Sequence, residues 1–210
     1  LIGSALTAKL GRLAFPGSVW SLPAAKQEIY LTFDDGPDPS ITPKVLDVLK
    51  TFNAKATFFC IGRNVEKNPE IFERILLEGH RVGNHTFHHK NGWKTPTDVY
   101  LEDVERCKTL VHSNLFRPPY GKMTRFQAKC LHEMGFSSVM WSVLTKDYDS
   151  GQSLGQILKK TTAKLKPGAI VVFHDSLKAA PRMLPALPLV LEAAKKKKLL
   201  CASLPESLQS

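Results

Sequence analysis

Two adjacent carboxylates, Asp34 and Asp35, end the apolar, β-prone run Ile29-Tyr30-Leu31-Thr32-Phe33 and are followed by Gly36-Pro37. A strand that stops at two acids and a turn-forming pair places those acids at its C-terminal end. Ionised side by side in a dry pocket they repel, so the pair calls for a cation, a donor or a proton. His85 and His89 stand four apart, a spacing that puts both imidazoles on one side of a helical turn or of a tight loop. With one carboxylate they make a three-ligand set that leaves a fourth position open for water, as catalytic zinc requires. The plainer alternatives are an Asp35-Gly36-Pro37 turn that only caps the next segment and two solvated loop histidines. His88 has the poorer spacing and reads as a surface or supporting residue.

Arg117-Pro118-Pro119-Tyr120-Gly121 follows a short strand, and its two prolines fix the backbone, which would hold the guanidinium and the Tyr120 amide in place. The bland reading is a loop with a surface ion pair. His174 ends Ala169-Ile170-Val171-Val172-Phe173, a continuous apolar run of the kind buried parallel strands have, and Asp175 follows it. A polar pair leaving so apolar a strand needs partners.

Strands are expected at about 29–33, 55–60, 81–84, 115–117, 138–142, 169–173 and 199–203, with helices between them. Thr42-Pro43 and Asn68-Pro69 each open a helix with a cap and a proline, the second ending at Gly79. Others are expected over about 97–112, 124–134, 154–165 and 182–197. Alternating strands and helices imply parallel pairing. The polar residues follow strands scattered along the chain, and in a barrel such strand ends converge on one face, so an incomplete (β/α)7 barrel is expected over an open sheet. The expected organisation is a single catalytic domain over 27–210 preceded by an N-terminal extension, 1–26, packed outside the first strand.

At 210 residues, 43% hydrophobic and 23% charged, the chain is an ordinary globular domain and neither disordered nor fibrous. It has no apolar run near the roughly 18 residues of a membrane-spanning helix. It begins at Leu1, so a signal peptide or membrane anchor upstream is left open. Cys60, Cys107, Cys130 and Cys201 form no CxxC pair and read as free thiols. Lys and Arg outnumber Asp and Glu by 29 to 19, and the net charge of +10 suits an acidic partner such as an anionic polymer or a membrane surface. Scattered basic residues without aromatic interleaving argue against nucleic acid. The Lys195 to Lys198 run closes a helix, where cations oppose the negative end of its dipole.

Together these residues resemble the polysaccharide deacetylases of carbohydrate esterase family four, the NodB homology domain. The family signatures are Thr-Phe-Asp-Asp-Gly-Pro, His-(Ser/Thr)-x-x-His, Arg-x-Pro-Tyr, Asp-x-x-Asp-Trp and a late aliphatic-x-His. The likeness runs over about residues 28–204. Thr32 to Pro37, His85 to His89, Arg117 to Tyr120 and Val172 to His174 carry it, and several short motifs in order are far more specific than one. The resemblance implies a distorted (β/α) barrel that removes N-acetyl groups from an amino-sugar polymer, peptidoglycan-like or chitin-like, in the cell envelope or periplasm. It implies Asp34 as catalytic base, Asp35, His85 and His89 as ligands of zinc (or Co2+ or Ni2+), and His174 as general acid. Arg117 would position the base, the Tyr120 amide would donate to the oxyanion, and Asp147 would orient His174. In the fourth motif Leu144 replaces the family's first Asp and Tyr148 its Trp, which puts the substrate wall in question. A non-sugar amide hydrolase on the same scaffold and a glycan-binding protein without activity remain alternatives.

Overall fold

The computed structural model describes residues 15, 17–206 and 208. Parallel strands β1 (Glu28–Asp34), β2 (Thr57–Cys60), β3 (Arg81–Asn84), β4 (Leu115–Phe116), β5 (Ser137–Ser138), β6 (Val143–Leu144), β7 (Ile170–His174) and β8 (Leu200–Ala202) make one sheet. Helices α1 (Thr42–Thr51), α2 (Gly62–Lys67), α3 (Pro69–Leu77), α4 (Thr97–Lys108), α5 (Arg125–Glu133), α6 (Leu154–Thr162) and α7 (Ala180–Lys196) connect them. Strand β1 is buried along almost its whole length because it is central: β2 and β7 flank it, and its apolar residues meet helices on one side and the barrel interior on the other.

The strand expected at 138–142 is two strands, and this difference explains the curvature. Along the order β5-β4-β3-β2-β1-β7-β6, the pieces lie at opposite edges of the sheet. Seven strands laid flat would hold those edges about 29 Å apart, whereas the five steps from Ser138 to Val143 reach at most about 18 Å. The sheet therefore curls into an incomplete barrel. One apolar run in sequence cannot reveal that its middle leaves one edge and its end joins the other.

Val19 bridges to Val139 and Ser21 to Ala169, so part of the predicted extension is built into the sheet beside this seam. Residues 1–14 and 16 of that extension lie outside the described residues. Helix α2 was not anticipated, and α4 stops at Lys108, short of the expected 112. Proline at the first turn starts α1 and α3, as the sequence implies. The main core lies between the sheet and its helices, α7 contributing Met183, Leu187, Val190 and Leu191 at helical spacing. All four cysteines are free.

Candidate metal centre and active site

Register brings the candidate groups together at the C-terminal strand ends. Asp34 and His174 are directly paired residues of β1 and β7, and Asn84 of β3 sets the start of the loop that carries His85 and His89. Among the described residues, five of the seven non-glycine residues with positive φ lie in the loops around this point: Asp35, Thr86, His89, Tyr120 and Lys146. Backbone conformations that cost energy are thus concentrated where side chains must be aimed.

The His85–His89 pair sits on a tight loop, one of the two geometries its spacing allowed. One ligand atom each from Asp35, His85 and His89 lie within 4.8 Å of one another. Asp35 Oδ1 is 3.2 Å from His89 Nε2 and 3.7 Å from His85 Nε2. A tetrahedral ion with bonds of about 2.0–2.1 Å holds its ligands roughly 3.3 Å apart, so the spacing fits a small divalent cation. The tautomer fits as well. The His85 Nδ1–H donates to the Arg117 carbonyl at 2.7 Å, which leaves the Nε2 lone pair facing the cluster. Burial lowers the His85 pKa to about 4, so the imidazole is neutral, the ligating form. Burial opposes charge on Asp35, but the hydrogen bond from His89 and the nearby His174 imidazolium hold its pKa far below the usual carboxylate range.

Arg117 ties this cluster to Asp34. Its Nη1 donates to Asp34 Oδ1 and to Thr32 Oγ1, both at 2.7 Å, while Nε and Nη2 reach the Val139 and Met140 carbonyls at 3.0 Å. It is fully buried over the Phe59 ring, 4.1 Å from guanidinium carbon to ring centroid. One residue thus aims a metal-ligand candidate with its carbonyl and a carboxylate with its side chain, and it pins the seam that closes the barrel. The sequence pointed to the guanidinium alone, because a backbone carbonyl carries no residue-type signal.

On the other side, Asp147 receives the His174 backbone N–H on Oδ2 and faces His174 Nδ1 with Oδ1, both at 2.8 Å. Burial lowers the His174 pKa, but the hydrogen bond and charge of Asp147, aided by Asp34 and Asp35, raise it to about 9. Tyr148 packs edge-on against His174 with centroids 4.9 Å apart, and Leu144 lies half-buried in β6 beside Val172. Tyr120 leans on the His89 ring, centroids 4.6 Å apart, in a turn with φ 61°. His88 is held out of the cluster.

Two supporting residues, Asp103 and Asn84, escaped the sequence reading, and the partners that Asp175 needed are in the turn after β1 and at the start of α1. Asp103 of α4 takes the His88 N–H at 2.8 Å and faces His88 Nδ1 at 2.5 Å, and its carbonyl accepts the Phe87 N–H, so it clamps the loop that presents His89. Its signal was an acid on the buried stripe of Tyr100, Val104 and Cys107. Asn84 accepts the Thr86 N–H and donates to the Val104 carbonyl. Asp175 accepts the Gly36 N–H at 3.1 Å and the Thr42 hydroxyl at 2.6 Å, which fixes the turn bearing Asp35. A Cβ on Gly36 would stand 2.0 Å from Asp175 Oδ2, so only glycine fits there.

Compared with known proteins, residues 22–139 match the family described as polysaccharide deacetylase. The chain is similar to a peptidoglycan-N-acetylglucosamine deacetylase of Bacillus cereus, 40% identical over 163 residues that make up 75% of this chain and 59% of that protein. It is also similar to the peptidoglycan-N-acetylglucosamine deacetylase PgdA of Listeria monocytogenes, 41% identical over 162 residues, 73% of this chain and 34% of that one. It therefore spans only about a third to three-fifths of these relatives. The crystal structure of the Bc1960 peptidoglycan N-acetylglucosamine deacetylase, in complex with 4-naphthalen-1-yl-N-oxidanyl-benzamide, superimposes with a TM-score of 0.85 at 36% identity, covering 90% of this chain and 91% of that chain.

Proposed function

The chain belongs to the polysaccharide deacetylase family, and from that premise we propose that it is a zinc-dependent hydrolase that removes acetyl groups from the amino sugars of a peptidoglycan-like or chitin-like glycan. The observation that carries the reading is the joining of the Asp35, His85 and His89 ligand set, through Arg117, to Asp34, with His174 facing Asp34 from the next strand. Two imidazoles and a carboxylate at tetrahedral spacing, with a fourth position open, suit a catalytic zinc ion. Bound there, a divalent ion lowers the pKa of water toward ~7 and polarises a carbonyl oxygen.

Asp34, aimed by Arg117, takes a proton from the water that attacks the acetamide carbonyl. The Tyr120 N–H donates to the oxygen on which negative charge develops. An amide nitrogen leaves only once protonated, and His174, kept in its imidazolium form by Asp147, gives it that proton. Acetate and a free amine result. We place this catalytic unit at 27–210, with residues 18–22 clasping its sheet, and its site of action at the cell envelope or periplasm. The test is acetate release from chitooligosaccharides and from peptidoglycan fragments, with and without a chelator. Chelator-sensitive release is expected, and tight glycan binding without release would support the inactive reading instead.

A further inference from the structure

The Lys195 to Lys198 run is part of a larger surface. Four more lysines, Lys159, Lys160, Lys164 and Lys166, lie in and just after α6, and the two groups meet because Lys197 Nζ donates to the Thr162 and Leu165 carbonyls at 2.7 and 3.1 Å. Seven of the eight are exposed, Lys164 is half-buried, and among the described residues none is ion-paired. Burial and the neighbouring Lys160 lower the Lys164 pKa. From residue 154 to 200 the acids are Asp175, buried in the active site, and Glu192 on α7. Glu28 at the same end is engaged by the Tyr30 hydroxyl at 2.8 Å and by Lys26 at 3.9 Å, and Glu206 by Arg81 at 3.4 Å. A helix dipole explains cations in a last turn, not eight lysines from two helix ends with so little counter-charge.

This surface lies at the end of the barrel opposite the catalytic mouth. Leu200 pairs with Glu28, the first residue of β1, whereas Asp34 is its last, which separates the two ends by about 20 Å. Two exposed leucines accompany the lysines there: Leu200, 69% exposed, and Leu77 at the end of α3, 79% exposed. Lys55 links them, its N–H bonded to the Cys201 carbonyl and its ammonium to the Glu78 carbonyl.

The geometry points to a docking face for a phospholipid bilayer with anionic headgroups, which holds the barrel base-down and turns the catalytic mouth away from the lipid toward the glycan. All eight cations are lysines, hydrated point charges suited to a diffuse anionic layer rather than the forked guanidinium that reads an individual phosphate. Exposed leucines gain from entering the headgroup boundary and gain nothing from a soluble polyanion. Docking stands apart from catalysis, and only the orientation of the mouth rests on the deacetylase reading.

Sedimentation of the full chain with vesicles tests it. The protein should pellet with vesicles of phosphatidylglycerol and phosphatidylcholine, remain in solution with phosphatidylcholine alone, and be released by high salt. Combined Lys159→Gln, Lys160→Gln, Lys195→Gln and Lys196→Gln, which spare Lys197, should weaken binding by about 100-fold or more, at about fivefold per lysine. Leu200→Ser should weaken it several-fold, and Lys178→Gln, a control beside the mouth, should not. Acetate release from soluble chitooligosaccharides should be unchanged in the quadruple variant, which shows that it folds. Failure of the native chain to bind anionic vesicles, equal binding by the quadruple variant, or capture by soluble polyphosphate without vesicle binding would each overturn the proposal.

Discussion

Asp147→Asn removes one negative charge from a buried site while keeping the shape of the side chain. In the native chain His174 titrates at about 9 although burial alone would put it below its ordinary 6.5, so Asp147 supplies most of the upward shift. The variant should return His174 to about 6.5 or lower. As the proposed general acid His174 works only while protonated, so the alkaline limb of kcat/KM should move down by about 2.5 pH units. At pH 8 the protonated fraction would fall roughly 30-fold, and activity with it, and acidification should restore part of the loss. A cation at Asp35, His85 and His89 lowers both limbs together, so the displacement between the two profiles is what the assay reads. Stability follows the same sign. A histidine whose pKa is raised on folding stabilises fully below pH 6.5, and that contribution, on the order of 3 kcal/mol at most, is lost as pH rises through about 9. The melting temperature of the native chain should therefore fall across that window more than that of Asp147→Asn. Superimposable pH–rate profiles would refute the assignment.

His89→Ala should lose the divalent ion, and elemental analysis of purified protein would show retention equal to the native chain if the ligand assignment is wrong. Asp103→Asn should loosen the 87–89 loop and weaken metal binding by about 10- to 100-fold, measured by titrating the metal-free protein, with the melting temperature of that form as the control for folding. Leu144→Asp should alter preference among glycan lengths more than it moves the alkaline limb, since Asp147, the carboxylate bonded to His174, is left in place; matched kinetics on short and long oligosaccharides decide.

How much was legible depended on whether the information sat in side-chain type or in tertiary geometry. Asp34, Asp35, His85, His89 and His174 announce themselves because polar groups at the ends of apolar strands need a reason, and register then gathers them. Proline starts marked α1 and α3, and the apolar stripe marked α7. The splitting of 138–142 was not legible, because two residues of pairing at either edge leave no periodicity to detect. Nor was the Arg117 carbonyl, the seam formed by Val19 and Ser21, or the meeting of two lysine groups far apart in the sequence, all of which exist only once the sheet has curled.

The division of labour between two neighbouring acids is the centre of the account, and measuring metal content and acetate release together on Asp34→Asn and Asp35→Asn tests it most directly. Asp34→Asn should keep its metal and lose turnover by roughly 100-fold or more, the scale of general-base catalysis, while Asp35→Asn should lose the metal itself. Two variants alike in both metal content and turnover would contradict it.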